Sequence, residues 1–169
     1  MKKIAVIIED LFDDLEYKEP VEAFLKEGHQ IIHVGLEKGK KVKSKKEGFE
    51  IVVEEKADKE TAHKYDALLI PGGYAPDRLR AFQEPVDCVA EFMELKKPVF
   101  TICHGPQLLI NAEKVKGRRI TGFRSIKIDL INAGADFIDV EVVVDDNLVS
   151  SRTPLDLPVF IRESLNLLK

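Results

Sequence analysis

The chain has 169 residues, 44% of them hydrophobic and 33% charged, with 26 basic and 30 acidic side chains and a formal net charge of −4. That is the size of one domain with one core; the acidic balance excludes a chain built mainly for nucleic acid, and no apolar run approaches the roughly 18–20 residues that cross a bilayer. The only cysteines are Cys88 and Cys103, so no disulfide scaffold is expected, and Glu9 and Asp10 cut the early apolar run too short for a signal peptide, which leads to the expectation of a cytoplasmic protein.

In chain order, residues 4–8 are a continuous apolar run, as a strand buried on both faces requires. A helix is expected over 15–26, with Phe24 and Leu25 on its buried face, Gly28 just past its end and Pro20 kinking it or ending its first turn. Residues 31–35 read as a second strand. The stretch 38–46 holds Lys38, Lys40, Lys41, Lys43, Lys45 and Lys46 and reads as a solvated, turn-like hairpin, followed by a strand over 49–53. Residues 67–70 form a short buried strand ending in Pro71-Gly72-Gly73. A helix over 86–95, a strand over 99–102 and a helix over 104–112 follow. The rest reads as a helix over 126–133, a strand pair at 140–144 and 148–150 hinged at 145–147, and a closing helix over 155–168. Strands alternating with helices predict right-handed βαβ units and one α/β domain over 1–169, with a mostly parallel sheet.

Ligands of such sheets bind outside the carboxyl ends of the strands. The sharpest signal at that edge is Thr101-Ile102-Cys103-His104-Gly105-Pro106. A nucleophile between strand and helix, with Gly two residues on, fits a nucleophile elbow, and Pro106 suits the first turn of the helix. The helix N-terminus is expected to lower the thiol pKa. Cys88, on an apolar helix stripe with no neighbouring base, reads as packing.

The four histidines are His29, His33, His63 and His104. None follows position 104, so neither the α/β-hydrolase order nor that of a class I glutamine amidotransferase is available, and His104 is the candidate partner of Cys103. The one H-x-x-x-H spacing, His29 to His33, flanks a strand start and reads as surface or packing, and no C-x-x-C occurs, so neither a metal nor a cofactor is expected. Gly72, Gly73 and His104 could present backbone N–H groups as an oxyanion hole, worth about 3–4 kcal/mol per donor. Asp10, Asp13, Asp14 and Glu16 cluster after the first strand. Helix capping explains most of them; one could instead face the Cys103 sulfur.

Together these residues resemble the ThiJ/PfpI superfamily, in its PfpI-type branch of intracellular cysteine proteases and glyoxalase III/deglycases. The resemblance rests on residues 66–76, on 102–109 (Ile-Cys-His-Gly-Pro-Gln-Leu-Leu), on 129–135 and on Ser150-Ser151-Arg152. It implies a flavodoxin-like α/β/α sandwich with Cys103 as nucleophile and His104 beside it. It implies homo-oligomers, dimers or hexamers, in which Asp77 reaches the histidine of a neighbouring subunit, and it puts Asp13 in the place of an acid that contacts the cysteine. Tyr74, Phe123 and Arg152 are the expected substrate-pocket residues. The pattern has Glu at the places given to Asp13 and Asp77, one methylene or about 1.5 Å longer, and usually Tyr where Phe123 stands. The leading expectation is a peptidase-like hydrolase in which Cys103 attacks a carbonyl carbon. One alternative is glyoxalase or deglycase action on methylglyoxal or its adducts. The non-enzymatic alternative is a stress protein or chaperone acting through Cys103 oxidation. The expected substrate is a peptide or a small carbonyl, with no nucleic acid and no membrane as partner.

Overall fold

Alternation along the buried strands sorts their side chains onto two faces of one sheet. Ala5, Ile7, Leu68 and Ile70 join one apolar cluster, and Ile4, Val6, Leu69 and Phe100 join the other. The computed structural model describes all 169 residues. The first half contains β1 (Lys3–Ile7), α1 (Asp14–Lys26), β2 (Gln30–Gly35), the antiparallel pair β3 (Lys41–Lys43) and β4 (Glu50–Val52), β5 (Glu55–Lys56), α2 (Thr61–Lys64), β6 (Ala67–Ile70), α3 (Ala75–Leu79) and α4 (Gln83–Glu94). The second half contains β7 (Val99–Ile102), α5 (Pro106–Asn111), β8 (Arg119–Ile120), α6 (Lys127–Asn132), β9 (Asp136–Phe137), β10 (Val142–Asp145), β11 (Leu148–Ser151) and α7 (Leu157–Leu167).

The main sheet runs β10-β11-β7-β6-β1-β2-β5 and is parallel except for the edge strand β10. It is a flavodoxin-like α/β sandwich. From β1 the chain winds outward through β2 to β5, then returns to β6 on the other side and continues through β7 to β11. The order therefore reverses between β1 and β6, which opens a crevice at their carboxyl ends. Helix α4 covers one face with Val86, Val89 and Phe92. Helices α1 and α7 cover the other with Val21, Phe24, Leu157 and Phe160, and the Phe24 and Phe100 rings stand 5.6 Å apart. Each such side chain, fully buried, contributes about 1.5–3 kcal/mol. No helix is long and apolar enough to cross a membrane.

Four local expectations change. Leu25, expected beside Phe24 on the buried face of α1, is exposed. Pro20 lies inside α1 and neither ends its first turn nor stops it before Lys26, because Pro20, Val21 and Phe24 are all held in the buried face. The expected helix over 104–112 begins only at Pro106, since Cys103, His104 and Gly105 form the turn that leads into it. The basic stretch is not a freely solvated hairpin. Val42 and Ser44 are buried, and the buried Asp14 carboxylate accepts the Lys46 and Glu47 N–H groups at 3.0 and 3.2 Å. That anchor folds the loop between β3 and β4 onto the start of α1 and over the crevice.

Candidate active site

Cys103 leaves β7 with φ +60, a left-handed conformation that costs a non-glycine residue of order 1–3 kcal/mol and recurs at functional turns. Its N–H donates to Ser151 O at 3.0 Å, and Gly105 N–H donates to Ile102 O at 2.9 Å, which holds the turn shut. A side chain at Gly105 would put its Cβ 2.2 Å from Thr101 Oγ1 and 2.8 Å from Ile70 O, so only glycine fits there.

The carboxyl against this sulfur belongs to Glu16, not to Asp13. Asp13 caps α1, its Oδ1 accepting Leu15 and Glu16 N–H at 3.1 Å each, while its Oδ2 lies 3.2 Å from Lys45 Nζ. Glu16 stands three residues after that cap, the spacing at which a glutamate ordinarily turns back to the cap's own N–H. Here the Asp13 N–H is already donated to Gly72 O at 3.1 Å. Glu16 turns inward instead: Oε1 accepts the Gly72 N–H at 2.9 Å, and Oε2 is buried with no hydrogen-bond partner. The shortfall of reach expected from an aspartate at this place therefore does not arise. Gly72 is needed because a Cβ there would sit 2.3 Å from Glu16 Oε1 and 2.9 Å from Cys103 Cβ.

Burial first, and the Asp13 charge second, push Glu16 up from 4.5 to about 8, with the Gly72 N–H and Lys45 opposing. At neutral pH Glu16 is therefore a neutral acid. The Cys103 thiol is also raised, by burial first and the Glu16 charge second, against the His104 backbone N–H. That is opposite to the lowering expected from the helix N-terminus: removing the sulfur from water outweighs the dipole of a short helix. The two groups face each other and titrate as a pair. A proton on Glu16 removes the charge that holds the thiol proton in place.

His104 packs beside the sulfur, with Nδ1 3.3 Å from Cys103 Sγ and Nε2 3.1 Å from Ser125 Oγ. The Phe123 ring lies 5.0 Å from the imidazole centroid at 31°. Burial, and then Lys45, hold His104 below its ordinary pKa. These groups line a cavity of about 360 Å³ whose outer wall is Lys45, Tyr74, Phe123 and Pro154. Gly73 also lines it, and its N–H donates to no acceptor in the protein, whereas the Gly72 N–H is committed to Glu16. Of the three N–H groups expected to serve an oxyanion, that of Gly73 is free in the cavity wall, that of His104 faces the thiol, and that of Gly72 is committed to Glu16.

Two other expected site residues do not line the cavity. Asp77 is exposed and binds Arg80 at 3.0 Å. Arg152 is held by Asp156 and Asp139 and lines no part of the cavity. Glu16 is one of the four clustered acids of which one could face the sulfur, though the resemblance gives that place to Asp13; Lys45 and Ser125 are site residues that the sequence does not mark as such. The Asp13-to-Glu16 spacing was the available signal for the first; nothing local marks the other two. No group of three His, Cys, Asp or Glu side chains is arranged to hold a metal ion. A larger cavity, about 470 Å³, lies near Met1, His29 and Arg162 and is lined by no cysteine, serine or threonine.

Comparison with known proteins gives a consistent picture. The DJ-1/PfpI family pattern matches residues 2–167. The chain is 53% identical over 169 residues to general stress protein 18 of Bacillus subtilis (strain 168), covering 99% of this chain and 98% of that one. It is 50% identical over 168 residues to protein/nucleic acid deglycase 2 of Escherichia coli (strain K12), again covering 99% and 98%. Among solved structures, it matches a two-domain protein from Anabaena variabilis containing DJ-1/ThiJ/PfpI-like and ferritin-like domains, with a TM-score of 0.96 and 38% identity over 99% of this chain and 48% of that one.

Proposed function

The chain belongs to the DJ-1/PfpI family, and on that premise we propose that it is a cysteine-dependent enzyme acting on small reactive carbonyl compounds, in glyoxalase or deglycase chemistry rather than peptide hydrolysis. The observation that carries this reading is the pairing of Cys103 with a buried, neutral Glu16 carboxyl inside a cavity of about 360 Å³. A cavity of that size suits a small molecule, whereas an extended peptide needs a groove.

The chemistry follows from the groups present. The Cys103 thiol proton passes to His104 Nδ1 as the sulfur adds to an aldehyde carbon. The carbonyl oxygen takes a proton from Glu16, beside the free N–H of Gly73, and a hemithioacetal results. For a 2-oxoaldehyde, a proton then moves from the former aldehyde carbon to the adjacent keto carbon and the hydroxyl proton passes to the former keto oxygen, with the Glu16 carboxylate as the base and the protonated His104 as the acid in reach. The product is a thioester, which one water cleaves to a 2-hydroxy acid, restoring the thiol. The step is an internal redox, so no outside oxidant enters the balance. The deglycase name of the Escherichia coli relative supports the same chemistry on carbonyl adducts of amines.

A peptidase would gain from a carboxylate that holds His104 as an imidazolium. His104 faces Ser125 instead, and Asp77 is occupied by Arg80. The peptidase reading therefore depends on an oligomer that delivers Asp77 from another copy, and it stands second. Oxidation of Cys103 as the primary role is the third reading, and the general stress protein name of the Bacillus subtilis relative is what supports it.

The test measures lactate formed from methylglyoxal beside cleavage of a fluorogenic peptide, for the native chain and Cys103→Ala. Lactate formation that falls by about a thousandfold or more in the variant is expected. A variant that keeps its lactate formation, or a native chain that cleaves peptide and leaves methylglyoxal untouched, overturns the reading.

A further inference from the structure

We propose that Ser125 is a positioning residue of this site, whose hydroxyl holds His104 Nε2 and so commits Nδ1 to the Cys103 sulfur. Both ring nitrogens are engaged within one protomer, at 3.3 Å to the sulfur and 3.1 Å to Ser125 Oγ. The serine is placed by the elbow itself. Phe123 N–H donates to Cys103 O at 2.8 Å, and Ile126 N–H donates to Phe123 O at 3.0 Å, closing the 3₁₀ turn Arg124–Ile126. Ile126 is buried and anchors that turn beneath the elbow. The same turn lays the Phe123 ring along the imidazole, which limits its rotation. The imidazole is therefore fixed by a ring on one face, a sulfur at one nitrogen and a hydroxyl at the other.

The chemistry of a hydroxyl differs here from that of a carboxylate. When the thiol donates to Nδ1, Nε2 carries the ring proton and Ser125 Oγ accepts it. When the thiol proton has moved to Nδ1, Nε2–H still points at Ser125 Oγ. The hydroxyl thus serves both states without adding a negative charge that would lock the ring as imidazolium. Its own proton is free to face solvent, since Ser125 is exposed. The charged groups acting on the ring are Lys45 from the loop after β3, Asp77 in α3, and Arg80 just after it. Lys45 and Arg80 lower its pKa and Asp77 raises it. A ring so placed returns its proton readily, which suits shuttling a proton between two carbons.

The consequence for turnover rests on the carbonyl reading above; the consequence for the imidazole does not. The test uses Ser125→Ala, Ser125→Thr, Ser125→Asp and, as a control on the competing acid, Asp77→Asn. Three readouts are followed: the ring-nitrogen NMR shifts of His104, the pH dependence of Cys103 alkylation, and kcat and KM for methylglyoxal. Loss of the hydroxyl should redistribute the His104 tautomers and lower kcat about tenfold with KM little changed. Ser125→Thr should restore both. Ser125→Asp should raise the His104 titration midpoint, because a carboxylate favours the charged ring. The proposal is overturned if Ser125→Ala leaves the His104 shifts and the alkylation profile as in the native chain, or if Asp77→Asn moves them and Ser125→Ala does not. A native chain inactive on methylglyoxal would refute the carbonyl reading alone, since the NMR and alkylation arms decide the role of Ser125 without substrate.

Discussion

Replacing Glu16 with Gln should make the protein more stable, and increasingly so as pH rises. The native carboxyl is held at about 8 against an ordinary 4.5. The folded protein therefore keeps a proton that the unfolded chain releases, and stability is greatest below the unfolded value and lost as pH climbs through the window between the two. Each unit of difference corresponds to about 1.4 kcal/mol. The native state thus gives up on the order of 3 kcal/mol by about pH 7, and on the order of 5 kcal/mol by about pH 8, relative to acid. A glutamine has no charge to bury, and its carbonyl oxygen can still accept the Gly72 N–H. Urea denaturation followed by circular dichroism, at steps between about pH 4 and about pH 8.5, measures the effect. A Cys103→Ser background removes the thiol's own titration. The two proteins should be close in stability at the acid end and diverge steadily above it; with Cys103 in place, the Gln variant should lose the carbonyl activity. Parallel stability curves across that range would refute the argument, because they would mean that Glu16 ionises in the fold as it does in water.

Gly72→Ala should reduce turnover about a hundredfold, because the new methyl would sit 2.3 Å from Glu16 Oε1 and 2.9 Å from Cys103 Cβ and must displace one of them; a variant with native kinetics would contradict that crowding. Lys45→Met should raise the His104 titration midpoint, since the Lys45 charge is one cause of its depression; imidazole NMR across pH reads the direction. Cys88, fully buried and pushed up to about 12, should resist alkylation in the native state and react only on unfolding, whereas Cys103 is labelled in the folded protein; mass spectrometry of the labelled chain separates the two.

The parts of this protein that could be read from the sequence are those whose cause is local. The apolar runs of β6 and β7 end where they were expected, because four consecutive buried side chains leave no other use for the segment. The elbow was legible for the same reason: Gly105 and Pro106 directly after Cys-His dictate a tight turn and then a helix. The alternation of elements was enough for the parallel sandwich. Elements of two to five residues, such as β5, α3, β8 and β9, were missed because their partners, not their own composition, create them.

The carboxyl at the sulfur is the instructive case. The acidic cluster after β1 was visible as a cluster, yet Asp13 and Glu16 exchange places between the expectation and the fold. Which one points inward depends on how α1 is rotated over β1 and on the Gly72 N–H waiting beneath it, 56 positions away in the chain. Lys45 reaches the cavity only because Asp14 ties down the following loop, and Ser125 reaches His104 only because its turn is hydrogen-bonded to the elbow. The same holds for ionisation. Residue types placed a thiol beside a helix start, but only the surrounding protein decided that water would be excluded from it, and desolvation of a charge outweighs the partial charges of one short helix. Chemistry set by bonded neighbours is written in the order of the residues; chemistry set by what surrounds a group in space exists only once the chain has folded.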